Sequence, residues 1–362
     1  MTELPFVRDR PDRAVATPLS LDQLRAFDAI IDARSPSEYG EDHLPDAMNA
    51  PVLDDAERAQ VGTIYKQQSA FEAKRVGAPI VARNIARHIE ERFAAMPKDW
   101  RPLVYCWRGG GRSGSLVHVL RQVGWDAVRL DGGYKAFRKQ VVADLESMPE
   151  RFSLEVVCGA TGSGKSRLLE ALDAEGAQVL DLEKLAAHRG SVLGERPDAP
   201  QPSQKSFETA IWSALSAFDP ARCVYVESES RKVGDLRVPG ELIERMRASP
   251  CLRLEADEAT RVRLLREDYV HFEERPQVLV GKLECLAPLH GAERIDAWKS
   301  ALARGDWDGL VRDLLVAHYD PAYQRSMFRN YVHAADARAV RVTQFTKEGF
   351  RALARSILGT AR

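Results

Sequence analysis

Cys106-Trp107-Arg108-Gly109-Gly110-Gly111-Arg112-Ser113 decides how the first part of the chain is read. It follows a short apolar run, Pro102-Leu103-Val104-Tyr105, and precedes a helical pattern, Leu116-Val117-His118-Val119-Leu120. That order predicts a strand ending in a cysteine, a glycine turn and a helix start. Backbone N–H groups in such a loop converge on the sulfur, and the helix N-terminus adds partial positive charge. Arg108 and Arg112 add full charges. Each feature favours the thiolate, the nucleophilic form. A structural cysteine beside a plain turn has no need of three glycines between two arginines.

Moving outward, Ala29-Ile30-Ile31-Asp32-Ala33-Arg34 reads as a buried strand that delivers Asp32 and Arg34 to its C-terminal end. Ser35-Pro36-Ser37-Glu38 then has the form of a capping box with proline at the first helical position. Leu53 to Ala95 is mostly helical in pattern and highly charged. Trp125 to Leu130 is a further strand, followed by the turn Asp131-Gly132-Gly133-Tyr134. Short strands alternating with helices predict an α/β domain with a mostly parallel sheet, its site at the carboxyl ends of the strands.

The bulk numbers are consistent with two soluble domains: 362 residues, 44% hydrophobic, 29% charged, net charge −1. No apolar run is long enough to span a bilayer, so no membrane partner is expected. Met1 to Arg10 lacks the apolar core of a signal peptide, which makes the protein cytoplasmic by expectation. Cys106, Cys158, Cys223, Cys251 and Cys285 fit neither a disulfide framework nor a CxxC zinc site. The eight histidines form no HExxH, so no transition metal is expected.

Four separated pieces resemble the rhodanese family over roughly residues 15–140. They are Asp32-Ala33-Arg34 with Glu38-Tyr39, His43-Leu44-Pro45-Asp46-Ala47 with Asn49-Ala50-Pro51, the Cys106 loop, and Leu130-Asp131-Gly132-Gly133. The resemblance implies that Cys106 carries a sulfur-type atom as a persulfide or its selenium equivalent. One departure matters. Arg112 stands six positions after Cys106, where rhodaneses have five, and Cys-x5-Arg-Ser is also the pattern of cysteine phosphatases. The larger loop suggests a donor bearing a phosphate-like group, although a phosphatase needs a general acid that the sequence does not name.

A second domain follows a boundary near Met148-Pro149-Glu150 and occupies 150–362 as a P-loop NTPase-like α/β domain with C-terminal helices. Phe152 to Cys158 reads as a strand and leads into Gly159-Ala160-Thr161-Gly162-Ser163-Gly164-Lys165-Ser166, a full GxxxxGKS loop opening a helix. Its glycines let backbone N–H groups wrap a phosphate, Lys165 neutralises it, and Ser166 can ligate Mg²⁺. The motif certifies polyphosphate binding, not hydrolysis. Val179 to Glu183 reads as the next strand. Arg222 to Ser230 is a strand ending in acids, where a Mg²⁺-associated carboxylate belongs: Glu227 first, Glu229 second. Arg261, Arg263 and Arg266 ride a helix beginning near Asp257, either clamping phosphates, touching RNA or forming a solvated face. Cys158, Cys223 and Cys251 read as core residues, and Trp298 and Trp307 as packing residues.

The combination, with Arg58, Val61 to Lys66, His188-Arg189-Gly190-Ser191 and Glu227-Ser228-Glu229-Ser230, resembles the bacterial tRNA 2-selenouridine synthase family over nearly the whole chain. That resemblance implies replacement of sulfur by selenium in a wobble 2-thiouridine by way of S-geranyl-2-thiouridine. It also implies selenophosphate and geranyl diphosphate as co-substrates. Partners implied are tRNA, through its 2-thiouridine-containing anticodon, and the selenophosphate-producing enzyme. Other readings of the same residues are an ATP-dependent sulfurtransferase with a kinase-like activating domain, a cysteine phosphatase, and a phosphate-sensing adaptor.

Overall fold

A computed structural model describes residues 13–197 and 199–360, with nothing said of the side chain of residue 360. The first ten residues, on which the absence of a leader was argued, lie outside the described residues. Two compact units are present, one comprising Met1–Asp144 with Ser203–Ala217, the other Leu145–Pro202 with Phe218–Arg362.

The first unit is built on β1 (Ala14–Val15), β2 (Ala29–Asp32), β3 (Ala47–Asn49), β4 (Pro102–Tyr105) and β5 (Val128–Leu130), in the order β1-β5-β4-β2-β3. All neighbours are parallel. A central parallel sheet covered on both faces reads as apolar runs, and Ile30, Ile31, Leu103 and Val104 are buried as that requires. One face packs helix Gly111–Val123 and an aromatic group, in which Trp100 meets Phe93 and Trp125 at 5.2 Å each. Phe137 belongs to helix Gly133–Ser147 and meets Trp212 edge-on at 5.3 Å. Trp212 lies on helix Gln204–Ala217, which the sequence division assigned to the second domain and which packs with the first unit. Its amphipathic pattern states that it buries a face but not against which sheet.

The second unit contains β6 (Leu154–Cys158), β7 (Gln178–Leu180), β8 (Val224–Glu227), a small antiparallel hairpin of β9 (Lys232–Val233) and β10 (Leu236–Arg237), then β11 (Cys251–Glu255) and β12 (Arg338–Arg341). The parallel sheet runs β12-β11-β6-β8-β7, so the loop after β6 emerges at mid-sheet. Helices Lys165–Ala174 and Lys347–Thr360 share one core with it. Helices between Glu258 and Asn330 form a separate apolar cluster around Phe272, Leu283 and Trp298. The α/β architecture expected for both parts is present. Two local readings change. The strand expected over Val179 to Glu183 stops at Leu180, because Asp181 accepts the Lys184 N–H at 2.8 Å and caps a short helix, Leu182–Leu185. Cys223 is only partly buried and precedes β8, whereas Cys158 and Cys251 are core residues.

Candidate functional site

In the first unit, β4 delivers Cys106 to the floor of the glycine loop, where it is 3% exposed. Gly109 has φ +68°, and a Cβ there would stand 2.6 Å from the Leu130 carbonyl oxygen, so only glycine fits. Helix Gly111–Val123 starts at the loop with no side-chain cap, leaving its first N–H groups for a ligand. The Ser113 hydroxyl donates to Cys106 Sγ at 3.2 Å. Behind the loop, the Tyr134 N–H donates to the Cys106 carbonyl at 2.9 Å.

Of the expected residues, Arg108 is exposed at the rim. Arg112 does not face the sulfur alone: it donates through two nitrogens to Glu38, at 2.5 and 3.3 Å, and Arg58 binds the same carboxylate at 2.9 Å. Burial raises the Glu38 carboxyl, but the Arg112 hydrogen bond and charge, helped by Ser35 and Arg58, hold it below its ordinary value. Two arginines share one carboxylate, so the cluster stays cationic. Arg112 has five N–H donors, which leaves donors for an anion. Deeper still, Arg34 and Asp32 form a buried pair at 2.6 Å, with the guanidinium 4.0 Å from the Tyr134 ring centre. The Tyr134 hydroxyl and the Thr209 hydroxyl both donate to Asp42, at 2.8 and 3.0 Å.

In the second unit, the loop Gly159 to Ser166 passes from β6 to helix Lys165–Ala174. Gly162 has φ +80°, and a Cβ there would meet Leu265 at 2.8 Å. Lys165 Nζ donates to the Gly159 carbonyl at 2.8 Å, folding across the loop that a phosphate would fill. The Ser166 hydroxyl donates to Glu183 at 3.2 Å, and the Glu183 N–H donates to Glu227 at 2.7 Å. Glu227 Oε2 and the Ser163 hydroxyl are buried without a partner.

Asp181, Glu183, Glu227 and Glu229 thus gather beside the phosphate loop. Burial pushes the Glu227 carboxyl well above its ordinary value, and the charges of Asp181, Glu183 and Glu229 push further. Glu229 is raised well above its own, by burial and then by Glu183, against the pull of Lys165. Burial also raises Glu183 and Asp181. Such a cluster wants positive charge. Among the described residues no three acidic, histidine or cysteine side chains form a complete metal cage. Mg²⁺ does not need one, since it takes one or two protein oxygens and completes its shell with water and phosphate. The unpartnered Glu227 oxygen and the Ser166 hydroxyl fit that mode.

A cavity of about 660 Å³ opens beside the loop toward β11 and β12, lined by Gly159, Ser163, Arg261, Tyr323, Met327 and Phe328 among others. Arg261 turns out to be buried. Its Nε donates to the Thr161 carbonyl at 2.8 Å and its other nitrogens bind Asp320, so it braces the loop backbone and does not clamp a ligand. Arg266 is held by Glu273 and Asp308, and Arg263 is exposed. Trp298 is buried and donates to Asp313, as a packing residue should. His188 is buried, with Nδ1 accepting the Gly190 N–H at 3.1 Å. Asp181, Glu183 and Glu38 thus join the two sites without any role that their sequence motifs assign them. For Glu183 the sequence does hold a signal, because two acids following a strand in a phosphate-loop domain occupy the same kind of position as Glu227.

A rhodanese-like domain family matches residues 17–140, and the family described as the tRNA 2-selenouridine synthase AAA domain matches 152–286. A tRNA 2-selenouridine synthase of Marinobacter nauticus is 37% identical over 81% of this chain and 87% of that protein. One from Hydrogenovibrio crunogenus is 33% identical over 82% of this chain and 89% of that protein. One from Nitrosomonas europaea is 36% identical, the match spanning 67% of this chain and 63% of that relative.

Proposed function

Because the chain belongs to the tRNA 2-selenouridine synthase family, we propose that it exchanges sulfur for selenium at C2 of a wobble 2-thiouridine in tRNA, with the chemistry divided between its two loops. The observation that carries this reading is the presence in one chain of an intact cysteine loop, with Ser113 on the sulfur, and an intact phosphate loop beside a carboxylate cluster.

A thiocarbonyl sulfur is a poor leaving group, and alkylation cures that. In the first step the C2 sulfur attacks C1 of geranyl diphosphate. The C–O bond breaks, pyrophosphate leaves with the electron pair, and the N3 proton is lost. Lys165 and the loop N–H groups hold the diphosphate and meet the charge that develops on it. Mg²⁺, when bound, supplies further neutralisation, with Ser166 and Glu227 as the residues to hold it. The 660 Å³ cavity is of a size that accepts small organic molecules, and Met327, Phe328 and Val342 suit it to the hydrocarbon chain.

In the second step selenophosphate occupies the Cys106 loop. The persulfide-type carrier implied by a rhodanese would take selenium from phosphorus as an electron-poor atom and release phosphite. A redox-neutral route fits the loop better. Cys106 Sγ attacks phosphorus of monoprotonated selenophosphate, the P–Se bond breaks, and selenium leaves with the electron pair and the donor's proton as hydrogen selenide. Hydrogen selenide then adds to C2 and expels geranyl thiolate, its proton passing to N3, while water hydrolyses the phosphocysteine to phosphate. Hydrogen selenide is a weak base and the donor brings its own proton, which accounts for a phosphatase-like loop with no evident general acid. Ser113 donates to the sulfur that leaves on hydrolysis.

The test is nucleoside mass spectrometry of thiolated tRNA incubated with geranyl diphosphate and selenophosphate. Wild type should yield 2-selenouridine and release phosphate, Cys106→Ala should stop at the S-geranyl nucleoside, and Lys165→Ala should form neither. Geranyl transfer at the wild-type rate by Lys165→Ala, or phosphite as the phosphorus product, would refute the corresponding step. Nucleotide hydrolysis coupled to turnover would instead favour an ATP-dependent sulfurtransferase.

A further inference from the structure

Between β3 and β4 the first unit carries a pair of helices, Asp55–Gln67 and Ala70–His88, that the chemistry above does not use. Helix Asp55–Gln67 buries no residue at all. The two helices pack on one another, closely enough that a Cβ at Gly77 would meet the Val61 methyls at 3.3 Å. At their shared tip two aromatic rings face solvent, Tyr65 at 62% and Phe71 at 70% exposure. Lys66, Lys74 and Arg75 are exposed around them. Between residues 61 and 80 the one acid is Glu72, and it is already paired with Arg75 at 2.6 Å. Lys66, Lys74, Arg83 and Arg87 take part in no ion pair among the described residues. Nearer the base, Asp54 and Glu57 accept each other's backbone N–H groups at the helix start and Asp55 accepts from Ser37.

The base of the hairpin is joined to the cysteine loop. Arg58 and Arg112 hold the same Glu38 carboxylate. Thirteen residues at 1.5 Å each put the tip about 20 Å from that root.

Exposed aromatic rings set singly among unpaired cations are what unpaired nucleotides require. Bases stack on the rings regardless of sequence, and the cations meet the phosphates. An apolar stripe, which a protein partner or an acyl chain would need, is missing from this surface, since its exposed large apolar side chains are just these two rings. We propose that the helical hairpin 55–88 is the RNA grip of this protein. Tyr65 and Phe71 stack bases of a single-stranded loop, Lys66, Lys74 and Arg83 bind its backbone, and the target base reaches the cysteine loop at the root. The proposal rests on the tRNA reading above.

The experiment measures binding of an anticodon stem-loop RNA to the full chain by fluorescence anisotropy across a salt series. Variants are Tyr65→Ala/Phe71→Ala and Lys66→Gln/Lys74→Gln. All four side chains point to solvent, and unchanged helical circular dichroism will show that both variants fold. The aromatic pair should weaken binding at least ten-fold with the salt slope unchanged. The lysine pair should flatten the logarithmic salt slope by about 1.4, two phosphates at roughly 0.7 each for a single strand. Binding within two-fold of wild type by both variants overturns the proposal while leaving the tRNA reading intact. Failure of wild type itself to bind the stem-loop removes the tRNA reading and the proposal together. Loss of binding to acidic vesicles, with RNA binding retained, would assign the hairpin to a membrane surface and overturn it as well.

Discussion

Glu227→Gln puts the carboxylate cluster to a quantitative test. Glu227 is 2% exposed, one oxygen accepts the Glu183 N–H at 2.7 Å, and the other has no partner. Burial and three neighbouring acids raise its carboxyl well above the ordinary range. The sign follows directly. In the unfolded chain the group titrates near 4.3, so between that pH and the raised folded value the folded state binds more protons than the unfolded one, and stability falls as pH rises. At about 1.4 kcal/mol per unit, the cost at pH 7.5 is bounded by roughly 4 kcal/mol. Glutamine keeps the acceptor for Glu183 and removes the charge, losing about 1 kcal/mol of charge assistance. The variant should therefore be more stable by about 1–3 kcal/mol without metal. In a unit of this size that is roughly 3–8 °C in Tm. The advantage should grow as pH rises above about 5 and vanish below about 4. Adding Mg²⁺ with pyrophosphate should stabilise wild type and do much less for the variant, because the charge that attracts the ion is gone. Differential scanning calorimetry across that pH range, with and without the ligands, reads both effects. A Glu227→Gln chain that melts below wild type at pH 7.5, or keeps the full Mg²⁺-dependent shift, refutes the reasoning.

Two further substitutions probe the cysteine loop. Asp32→Asn leaves the Arg34 guanidinium buried without its 2.6 Å partner, and removing one member of a buried pair costs about 3–5 kcal/mol. Urea unfolding should show it, and a loss under 1 kcal/mol would mean that the Asp42 carbonyl, which accepts from Arg34 at 2.6 Å, and the Tyr105 and Tyr134 rings suffice to hold the guanidinium. Glu38→Gln unfastens Arg112 from a position it holds across 74 residues of sequence. Selenation kcat should fall about 10- to 100-fold from misplacement of that guanidinium, with geranyl transfer unchanged. Steady-state kinetics showing only a raised KM would mean that Arg112 merely attracts the donor.

What could be read from the sequence was what the chain builds locally. Both glycine loops are continuous segments bounded by a strand and a helix, so residue order alone reports Cys106, Lys165 and Ser166 in place. The Ser35 capping box is equally local, and the Glu38 carboxylate does accept the Ser35 N–H. What escaped depends on distant partners. Nothing around Glu38 announces Arg112, and nothing around Arg261 announces the Thr161 carbonyl 100 positions away. Asp181 shows a third kind of miss. Its neighbours are apolar enough to suggest a continuing strand, but an aspartate able to bind the N–H three residues on favours a helix start. The arginines of helix Glu258–Asp268 look alike in sequence and differ entirely in burial. Their helical spacing placed them on different faces, yet only the tertiary fold says that one face lies against a loop.

The helix Gln204–Ala217 bears on how the chain threads through its two units. The chain leaves the first unit at Asp144, passes through the phosphate loop and the Glu183 segment, and returns at Ser203. It then leaves again and reaches Glu227. The two acids that meet through the Glu183 N–H therefore lie on either side of a helix anchored in the cysteine unit. That anchor is specific. Thr209 donates to Asp42 at 3.0 Å, and Trp212 donates to Asp144 at 2.8 Å while its ring meets Phe137. Asp42 also accepts from Tyr134, whose own N–H holds the Cys106 carbonyl. A cut near Met148 would therefore strip the first unit of a helix that fills its core and satisfies its buried acid. The leftover carboxyl, already raised by burial, would lose one of its two hydroxyl donors, and Phe137 would lose the ring it packs on. The cysteine unit is thus complete only in a chain that also encodes the phosphate loop, an arrangement that suits the proposed division of the chemistry between the two loops.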